Sequence, residues 1–505
     1  MPVIIFGEKA KKGFHRKIEV KSMIVGREEE IKNLNELYDS DSAELVAIYG
    51  RRRVGKTYLV DENFEGRICF RHSGLSPIDE DEDKYVGTSM KDQLGHFHRS
   101  LVLYGWKDAR KPESWLEAFY MLEDLLIEKY SEKDRILIFI DEIQWLDTPR
   151  AKFMTGFEAF WNGWACHKKN VMLIVCGSSS SWILDNMINN HGGLYGRVTR
   201  EMKIHPFTLN ETERFFESKG INMSRYDVTQ AYMMVGGIPF YLKQFDRELS
   251  LPQNIDAIFF SKKAPLKREF DRMFSSLFSN AEVMKKIIKA VGSKNKGITR
   301  AEIVKATNIS DSGDLSKQLN ALIAGDFIVK YSSFGDSKRD THYKLIDPFS
   351  IFYLSFMEGN NGGKKANWIN IEDSPKVTAW KGHAFENVCW NHTEQIKIAL
   401  QIAGVSTEES LWAKKGDDTS RGTQIDLIIS RKDNVVNMCE MKFYNEEFEV
   451  DKDYHLILEN RKKLLREIIP KKATVHNTLI TTYGLKKRGY WSDFVRVVTI
   501  DQLYI

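Results

Sequence analysis

Long apolar runs are scarce in this 505-residue sequence. None approaches the ~20 residues that a helix needs to cross a bilayer, and the run at residues 1–6 is too short for a secretory signal. The five cysteines include no closely spaced pair, which argues against a structural zinc site and against a disulfide framework. These absences predict a cytoplasmic protein with no membrane partner.

An excess of one charge is also missing, because 74 basic and 70 acidic side chains leave a formal net charge of only +4. A nucleic-acid partner therefore cannot be inferred from the total charge. The distribution is more informative, since residues 451–505 contain eleven Lys or Arg and six acids. The basic clusters at 461–463 and 486–488 could hold phosphates, although a solvated helix face is the alternative explanation of such clusters.

What the sequence does contain is a phosphate-binding loop directly after an apolar run at residues 45–49. The pattern G-x-x-x-x-G-K-[ST] is matched by Gly50, Arg51, Arg52, Arg53, Val54, Gly55, Lys56 and Thr57. In such a loop backbone N–H groups face phosphate oxygens, the lysine reaches the β and γ phosphates, and the hydroxyl holds Mg²⁺. A helix that begins at the loop adds the favourable end of its dipole. ATP with Mg²⁺ is therefore predicted to bind here.

A second apolar run, at residues 136–140, ends in two acids. At the carboxyl end of a central strand, Asp141 would join the Mg²⁺ shell and Glu142 would polarise the attacking water. A third run, at residues 171–176, leads to Ser178, whose hydroxyl would lie next to the γ phosphate. Together these elements predict nucleotide hydrolysis and not binding alone. Arg197, further along, could act on the γ phosphate of its own or of a neighbouring subunit, or could be a surface arginine.

These segments resemble a known group of proteins. Residues 25–30, the loop GRRRVGKT, residues 141–146, residues 195–197 and the later Gly-Gly-Ile-Pro at 236–239 look like prokaryotic AAA+-type ATPases related to the signalling STAND NTPases. The resemblance covers residues 20–250 and implies an α/β P-loop NTPase fold with a parallel sheet and a lid. It further implies that Ser178 is the sensor and Arg197 the arginine finger. A homo-oligomer through this domain is a further expectation.

Residues 251–350 are expected to form a helical linker and a winged helix-turn-helix. Leu315, Leu319 and Leu322 would share one face of a helix, and a two-stranded wing would follow it. Lys317, Gln318 and Asn320 would then be free to face a DNA groove. A plain packing module is the alternative role for such a unit.

A second constellation lies in the C-terminal region, where Asp426 precedes Glu440 and Lys442. If residues 432–434 form a three-residue hairpin loop with Asn434 in the left-handed region, Asp426 falls directly opposite Glu440. A two-residue turn would put Asp426 on the wrong face. Two opposed carboxylates repel unless a cation lies between them, so Mg²⁺ or Mn²⁺ is predicted there. Lys442 would assist the attacking water.

The same residues, with Glu386 on a preceding helix, resemble the PD-(D/E)XK nuclease superfamily in type and order. The resemblance implies a small α/β, restriction-endonuclease-like domain, assigned to residues 375–505, with Glu386 supporting the metal site. The predicted protein is an ATPase that acts on DNA through a metal-dependent nuclease under ATPase control. The alternative is a STAND-like regulatory switch that binds DNA or a protein partner without cutting.

Overall fold

The computed structural model describes residues 24–79, 84–189, 192–335, 341–359, 367–414 and 423–505. The N-terminal unit, residues 28–203, contains α1 (Glu28–Tyr38), β1 (Glu44–Tyr49), α2 (Lys56–Asn63), β2 (Ile68–Ser73), β3 (Ile78–Asp79), β4 (Lys84–Tyr85), α3 (Met90–Leu103), α4 (Trp115–Lys129), β5 (Ile136–Asp141), α5 (Phe153–Gly163), β6 (Val171–Gly177), α6 (Ser180–Ile183) and β7 (Arg200–Lys203). Short 3₁₀ turns follow β5 and α5, and a π-helical segment, Leu184–Ile188, extends α6. The three apolar runs of the sequence are thus β1, β5 and β6.

In the described part of this unit, the main sheet has the parallel order β2-β5-β6-β1-β7. Every residue of β1, β5 and β6 is buried, because helices cover both faces of the sheet. One face packs on α3, α4 and α5, and the other packs on the units that follow. This arrangement brings the carboxyl ends of β1, β5 and β6 to one edge.

The helical unit, residues 209–277, contains α7 (Leu209–Ser218), α8 (Arg225–Val235), α9 (Pro239–Leu242), α10 (Leu251–Ile255) and α11 (Glu269–Leu277). The middle unit, residues 281–357, contains α12 (Ala281–Gly292), β8 (Ile298–Thr299), α13 (Arg300–Thr307), α14 (Gly313–Ala324), β9 (Ile328–Ser332), β10 (Thr341–Leu345) and α15 (Pro348–Phe352). The π-helical segments Asp256–Phe260 and Tyr353–Met357 extend α10 and α15. The three described strands of the middle unit form a small antiparallel sheet in the order β8-β10-β9, and α13 and α14 lie between β8 and β9 in the sequence. As predicted, Leu315, Leu319 and Leu322 form the buried face of α14.

The C-terminal unit, residues 375–505, contains α16 (Pro375–Asn391), α17 (Thr393–Ala399), β11 (Thr407–Lys414), β12 (Thr423–Arg431), β13 (Val435–Lys442), α18 (Lys452–Arg466), β14 (Thr474–Thr481) and β15 (Arg496–Thr499). Short 3₁₀ turns lie at Trp368–Asn370, Trp491–Asp493 and Ile500–Leu503. Its described sheet has the order β11-β12-β13-β14-β15, antiparallel up to β13 and parallel from there on. The helix α18 makes the crossover between the parallel strands β13 and β14, as parallel pairing requires.

The units pack closely on one another. Residues of the N-terminal sheet, the helical unit, the middle unit and the inner face of the C-terminal sheet share one apolar core. The ring of Tyr226 in α8 stacks on Phe443 at 4.8 Å, and the N–H of Leu209 donates to Nε2 of His392 at 2.9 Å. Among the described residues, no helix has both the length and the hydropathy of a membrane span.

Candidate nucleotide site and second acidic site

The loop at residues 50–57 connects the end of β1 to the first residue of α2. Gly50 has a φ of 144°, and a Cβ there would lie 2.2 Å from the carbonyl oxygen of Ile204. Gly55, with a φ of 95°, precedes the helix in a conformation that glycine adopts at little cost. The glycine spacing of the motif thus corresponds to positions where this backbone excludes a side chain or disfavours one.

Lys56 and Thr57 lie at the start of α2 and face the carboxyl end of β5. The buried ammonium of Lys56 donates to the carbonyl oxygens of Gly50 at 2.9 Å and Arg51 at 3.0 Å, and burial lowers its pKa. The Thr57 hydroxyl donates to Oδ2 of Asp141 at 2.9 Å. Burial, and then the neighbouring Glu142, raise the pKa of Asp141 to about 6. A hydroxyl and a carboxylate that meet in this way suit Mg²⁺, which prefers hard oxygen ligands.

Glu142 is held by neutral donors. Its Oε2 accepts from the Ser178 backbone N–H at 3.1 Å and from the Ser178 hydroxyl at 2.7 Å. The side-chain amide of Gln144 donates to the same carboxylate and also to the Ser178 hydroxyl, at 3.1 Å. Ser178 therefore lies at the end of β6, in contact with Glu142. No role was predicted for Gln144, although its position two residues after Glu142 was the available signal.

Two of the three loop arginines point away from the loop. Arg51 is buried in an ion pair with Asp347 of the middle unit, and its guanidinium lies 4.7 Å from the Phe327 ring centroid. Burial alone would lower the pKa of Arg51, but Asp347, with smaller contributions from Tyr241 and Asp326, holds that pKa above its usual value.

Arg53 makes a comparable contact with the helical unit. Its guanidinium pairs with Glu269 at 2.5 Å and lies 3.9 Å from the Phe240 ring centroid. The side chains of Arg51 and Arg53, which the motif predicted as nucleotide ligands, thus connect the loop to its neighbours. Neither Asp347 nor Glu269 was identified from the sequence.

Arg197 lies at the opposite end of the sheet from the loop. Nearby, the N–H of Thr199 donates to the Leu45 carbonyl at 2.9 Å, and β7 pairs in parallel with β1 from Val46 onward. At about 3.3 Å per residue, the five residues from Leu45 to Gly50 span roughly 17 Å. An arginine side chain at the Leu45 end of β1 is too short to cross this distance to the loop of its own subunit. The exposed Arg197 could therefore act as a finger only on another subunit.

The predicted DNA-facing residues lie on α14, and this helix packs beside α6. Lys317 and Asn320 are exposed, whereas Gln318 is half-buried and its Oε1 has no hydrogen-bond partner among the described residues. Asp326, just after the helix, pairs with Lys203 of β7 at 2.7 Å. The middle unit is thus docked against the N-terminal unit along this helix.

The second site has the strand register expected from the sequence. Leu427 pairs with Cys439 across β12 and β13, and Asn434 has a φ of 65°. One further step of this register places Asp426 opposite Glu440. The three-residue loop is therefore present, and the two-residue alternative is excluded.

The carboxylate of Glu440 is already paired. It is 2 % exposed, it forms an ion pair with Arg461 of α18, and its Oε2 accepts from the Tyr454 hydroxyl at 2.6 Å. The pKa of Arg461 is raised, since Glu440 outweighs the effect of burial. A phosphate-binding role for Arg461 does not agree with this contact. Lys486 and Arg488 likewise pair with Glu446 and Glu449.

The other predicted residues surround the same strands. Oδ1 of Asp426 accepts from Gln424 at 2.7 Å, and Glu386 accepts from His383 at 3.3 Å. The ammonium of Lys442 lies 4.9 Å from the Tyr454 ring centroid.

A buried lysine of β10, Lys344, adds positive charge beside Glu386 and Asp426; burial lowers its pKa, and the two acids oppose that shift. In the described ranges no three His, Cys, Asp or Glu side chains cluster to hold a metal ion. In this arrangement Glu440 is not free to act as a metal ligand, because Arg461 and Tyr454 occupy both of its carboxylate oxygens.

Comparison with known proteins agrees with the geometry at the loop. Residues 24–245 match a family described as an ATPase domain predominantly from Archaea. Uncharacterized protein MJECL04 of Methanocaldococcus jannaschii is 28% identical over 427 residues, which cover 83% of this chain and 88% of that protein. Uncharacterized ATP-binding protein MJ0423 of the same organism is 42% identical over 51 residues, or 10% of this chain and 86% of that protein.

Parts of the chain also align with solved structures. The Walker-type ATPase PABY2304 of Pyrococcus abyssi aligns with a TM-score of 0.42 and 20% identity, covering 66% of this chain and 96% of that chain. The ORC2 protein of Aeropyrum pernix, solved in ADPNP–ADP complexes, aligns with a TM-score of 0.38 and 12% identity. The aligned part covers 66% of this chain and 94% of the ORC2 chain.

Proposed function

We propose that the archaeal-type P-loop ATPase domain at residues 24–245 controls how the rest of the chain acts on DNA. In this proposal residues 251–350 include a winged helix that contacts DNA, and residues 375–505 are a metal-dependent nuclease domain. The observation that carries the proposal is the buried ion pair between Arg51 and Asp347. It connects the residue after the first loop glycine to the unit that would bind DNA.

In the ATPase site each residue has a proposed role. Backbone N–H groups of the loop and the Lys56 ammonium bind the phosphates, while Thr57 and Asp141 hold Mg²⁺. The bound Mg²⁺ would neutralise charge on the phosphates. Glu142 orients and polarises the attacking water, and Ser178 with Gln144 fixes the Glu142 carboxylate through the hydrogen bonds described above. Arg197, exposed and far from its own loop, would act on a neighbouring subunit.

The proposed coupling between phosphate binding and the neighbouring units depends on the contacts of the loop arginines. Phosphate binding must reorganise a loop whose Lys56 now donates to the carbonyls of Gly50 and Arg51. Because the Arg51 and Arg53 side chains are fixed in the middle and helical units, a change in the loop backbone is transmitted to both. Release of the middle unit would uncover α14, including the half-buried Gln318.

The nuclease role is supported by Asp426 and Glu440, which lie opposite each other on adjacent strands, and by Lys442 on the same strand as Glu440. Cutting requires that Arg461 leave Glu440, because a cation already occupies that carboxylate. Because Arg461 belongs to the same unit as Glu440, the proposed means of release is a movement of α18 relative to β13 within the C-terminal unit, under ATPase control. Mg²⁺ or Mn²⁺ would then meet Asp426 and Glu440, with Glu386 in support.

The test is plasmid nicking by the full chain with ATP and either Mg²⁺ or Mn²⁺. Asp426→Ala and Lys442→Ala should abolish cutting while ATP turnover persists. The controls Asp433→Ala and Lys432→Ala change exposed residues of the same hairpin and should cut normally. Absence of cutting by the wild type in every nucleotide state, with normal ATP turnover, would refute the nuclease.

That negative result would favour a second candidate, a STAND-like switch whose C-terminal unit binds without cutting. The specific observation in its favour is the closed ion pair between Glu440 and Arg461. For this candidate, DNA or protein binding by the full chain should differ between ATP and ADP. The double measurement of cutting and nucleotide-dependent binding separates the two candidates.

A further inference from the structure

Arg52 differs from the two arginines that flank it in the loop. Arg51 and Arg53 each have a carboxylate partner and an aromatic ring beside the guanidinium. Arg52 is half-buried, and within the described part of the chain no hydrogen bond or ion pair is found for its guanidinium. A partly desolvated guanidinium with five N–H donors is stabilised when an anion binds to it.

The surroundings of Arg52 indicate which anion it would meet. Its charge acts on both Glu142 and Lys56, the residues proposed to flank the γ phosphate. Burial, and then Arg53, lower the pKa of Arg52, and Glu142 and Glu269 oppose that shift only in part. A phosphate group bound between Lys56 and Glu142 would supply that negative charge.

Neither Arg197 nor the other two loop arginines are in a position to add to the positive charge of Lys56 at the γ phosphate. Arg197 precedes Thr199, which contacts Leu45 at the far end of β1, and the strand from Leu45 to the loop is roughly 17 Å long at about 3.3 Å per residue. Arg51 and Arg53 are fixed in ion pairs with Asp347 and Glu269. Among the loop arginines, Arg52 is the one whose side chain is available to a bound nucleotide.

We propose that Arg52 is a catalytic residue of the ATPase site, acting in its own subunit as a donor to the γ-phosphate oxygens. This inference rests on the proposed ATPase roles of Lys56 and Glu142. The water oxygen forms a bond to the γ phosphorus while the bond from that phosphorus to the bridging oxygen breaks. The electron pair remains on ADP, the water proton is released by way of Glu142, and Arg52 stabilises the charge that develops on the oxygens.

The experiment measures ATP turnover and nucleotide binding for Arg52→Ala and Arg52→Lys in the full chain. Arg52→Ala should lower kcat by about 10²–10³-fold, as loss of one transition-state donor does in other enzymes. It should weaken binding of a non-hydrolysable ATP analogue more than binding of ADP, because only the former has a γ phosphate. Arg99→Ala, an exposed change on α3 with the same loss of charge, should alter neither value.

A mixing experiment decides between action within a subunit and action across an interface. Arg52→Ala mixed with Lys56→Ala should recover no activity, since the intact Arg52 and the intact loop are then on different chains. Recovery would overturn the proposal, as would an unchanged kcat or an equal loss of affinity for both nucleotides. If the wild type itself lacks ATP turnover, the proposed function fails, but the ratio of analogue to ADP affinity still tests Arg52.

Discussion

The carboxylates of the two acidic sites of this chain have different partners. At the nucleotide site, Asp141 accepts from a threonine hydroxyl, and Glu142 accepts from serine and glutamine donors. At the second site, Glu440 is bound by the cation of Arg461. Neutral donors position an acid without removing its charge, whereas a guanidinium neutralises it. The acids of the first site therefore still attract Mg²⁺. At the second site, the guanidinium of Arg461 takes the place that a metal cation would have beside Glu440.

The raised pKa of Asp141 is the measurable consequence at the first site. Burial, and then the charge of the neighbouring Glu142, favour protonation of Asp141, and Thr57 and Lys56 oppose them only in part. At the second site, by contrast, the cations Arg461 and Lys344 lie beside the acids. Two acids of the same kind can therefore either remain able to bind a metal ion or be neutralised by a protein cation, depending on the side chains around them.

The largest expected effect concerns the first site alone. Glu142→Gln keeps the shape of the side chain, so Ser178 can still donate to its oxygen, but it removes the charge that polarises water. ATP turnover should fall by about 10²–10⁴-fold, the range for loss of a general base. ATP binding should persist, as judged by equilibrium titration. Turnover close to that of the wild type would show that Glu142 is not the base.

The next effect concerns the connection between the nucleotide loop and the middle unit. Asp347→Asn leaves Arg51 buried without a counter-charge and should cost about 3–5 kcal/mol of unfolding free energy, the usual penalty for breaking a buried pair. Asp347 also accepts from the Ser350 N–H at 2.9 Å, a cap that asparagine can retain. The double variant Arg51→Met with Asp347→Leu is the control and should recover much of the loss. Equal destabilisation in both, by denaturant titration, would contradict an electrostatic connection.

A smaller effect concerns the contact between the helical and C-terminal units. The buried ring of His392 donates from Nδ1 to the Val388 carbonyl and accepts at Nε2 from the Leu209 N–H, so it must be neutral. Burial lowers its pKa from 6.5 to about 4. The unfolded chain therefore binds the proton more tightly, and stability is lost as pH falls from about 6.5 to about 4. The loss is about 3 kcal/mol, at 1.36 kcal/mol per pKa unit.

The measurement is unfolding free energy against pH for the wild type and for His392→Gln, whose side-chain oxygen can still accept from Leu209. The variant should lack this part of the pH dependence. His72, whose burial lowers its pKa to about 3, contributes a slope of the same sign in both proteins. The difference between the two curves is thus the quantity of interest, and identical curves would exclude His392 as the source.

The smallest expected effect comes from a substitution that makes the second site resemble the first. Arg461→Gln removes the cation from Glu440 and should tighten Mn²⁺ binding by about tenfold, or 1.4 kcal/mol. Calorimetric titration of the full chain measures it. Lys462→Gln makes the same charge change one residue away, where the ammonium pairs with Glu459, and should have a smaller effect. Equal affinities in the wild type and Arg461→Gln would mean that Arg461 does not compete with a metal.

The sequence was most informative where function depends on short spacings. The loop, Asp141, Glu142 and Ser178 could be located because parallel strands bring their carboxyl ends to one edge. The register of Asp426 and Glu440 followed from the length of one hairpin loop.

Contacts between distant segments could not be predicted in this way. Arg51 and Asp347 are separated by 296 residues, and nothing in local periodicity indicates which acid meets which arginine. The charge of Arg461 was visible, but its partner depended on how α18 packs on the sheet. Likewise, the position of Arg197 depends on β7 lying beside β1, an order that apolar runs do not reveal.

The separation of Arg197 from its own loop has a consequence for symmetry. If this arginine completes the site of a neighbour, the donor and acceptor surfaces lie at different places on each protomer. Such a head-to-tail contact cannot form a two-fold dimer with both sites filled equivalently. Repetition of the contact either closes into a ring or continues as an open helical filament, and the rotation between successive protomers decides which.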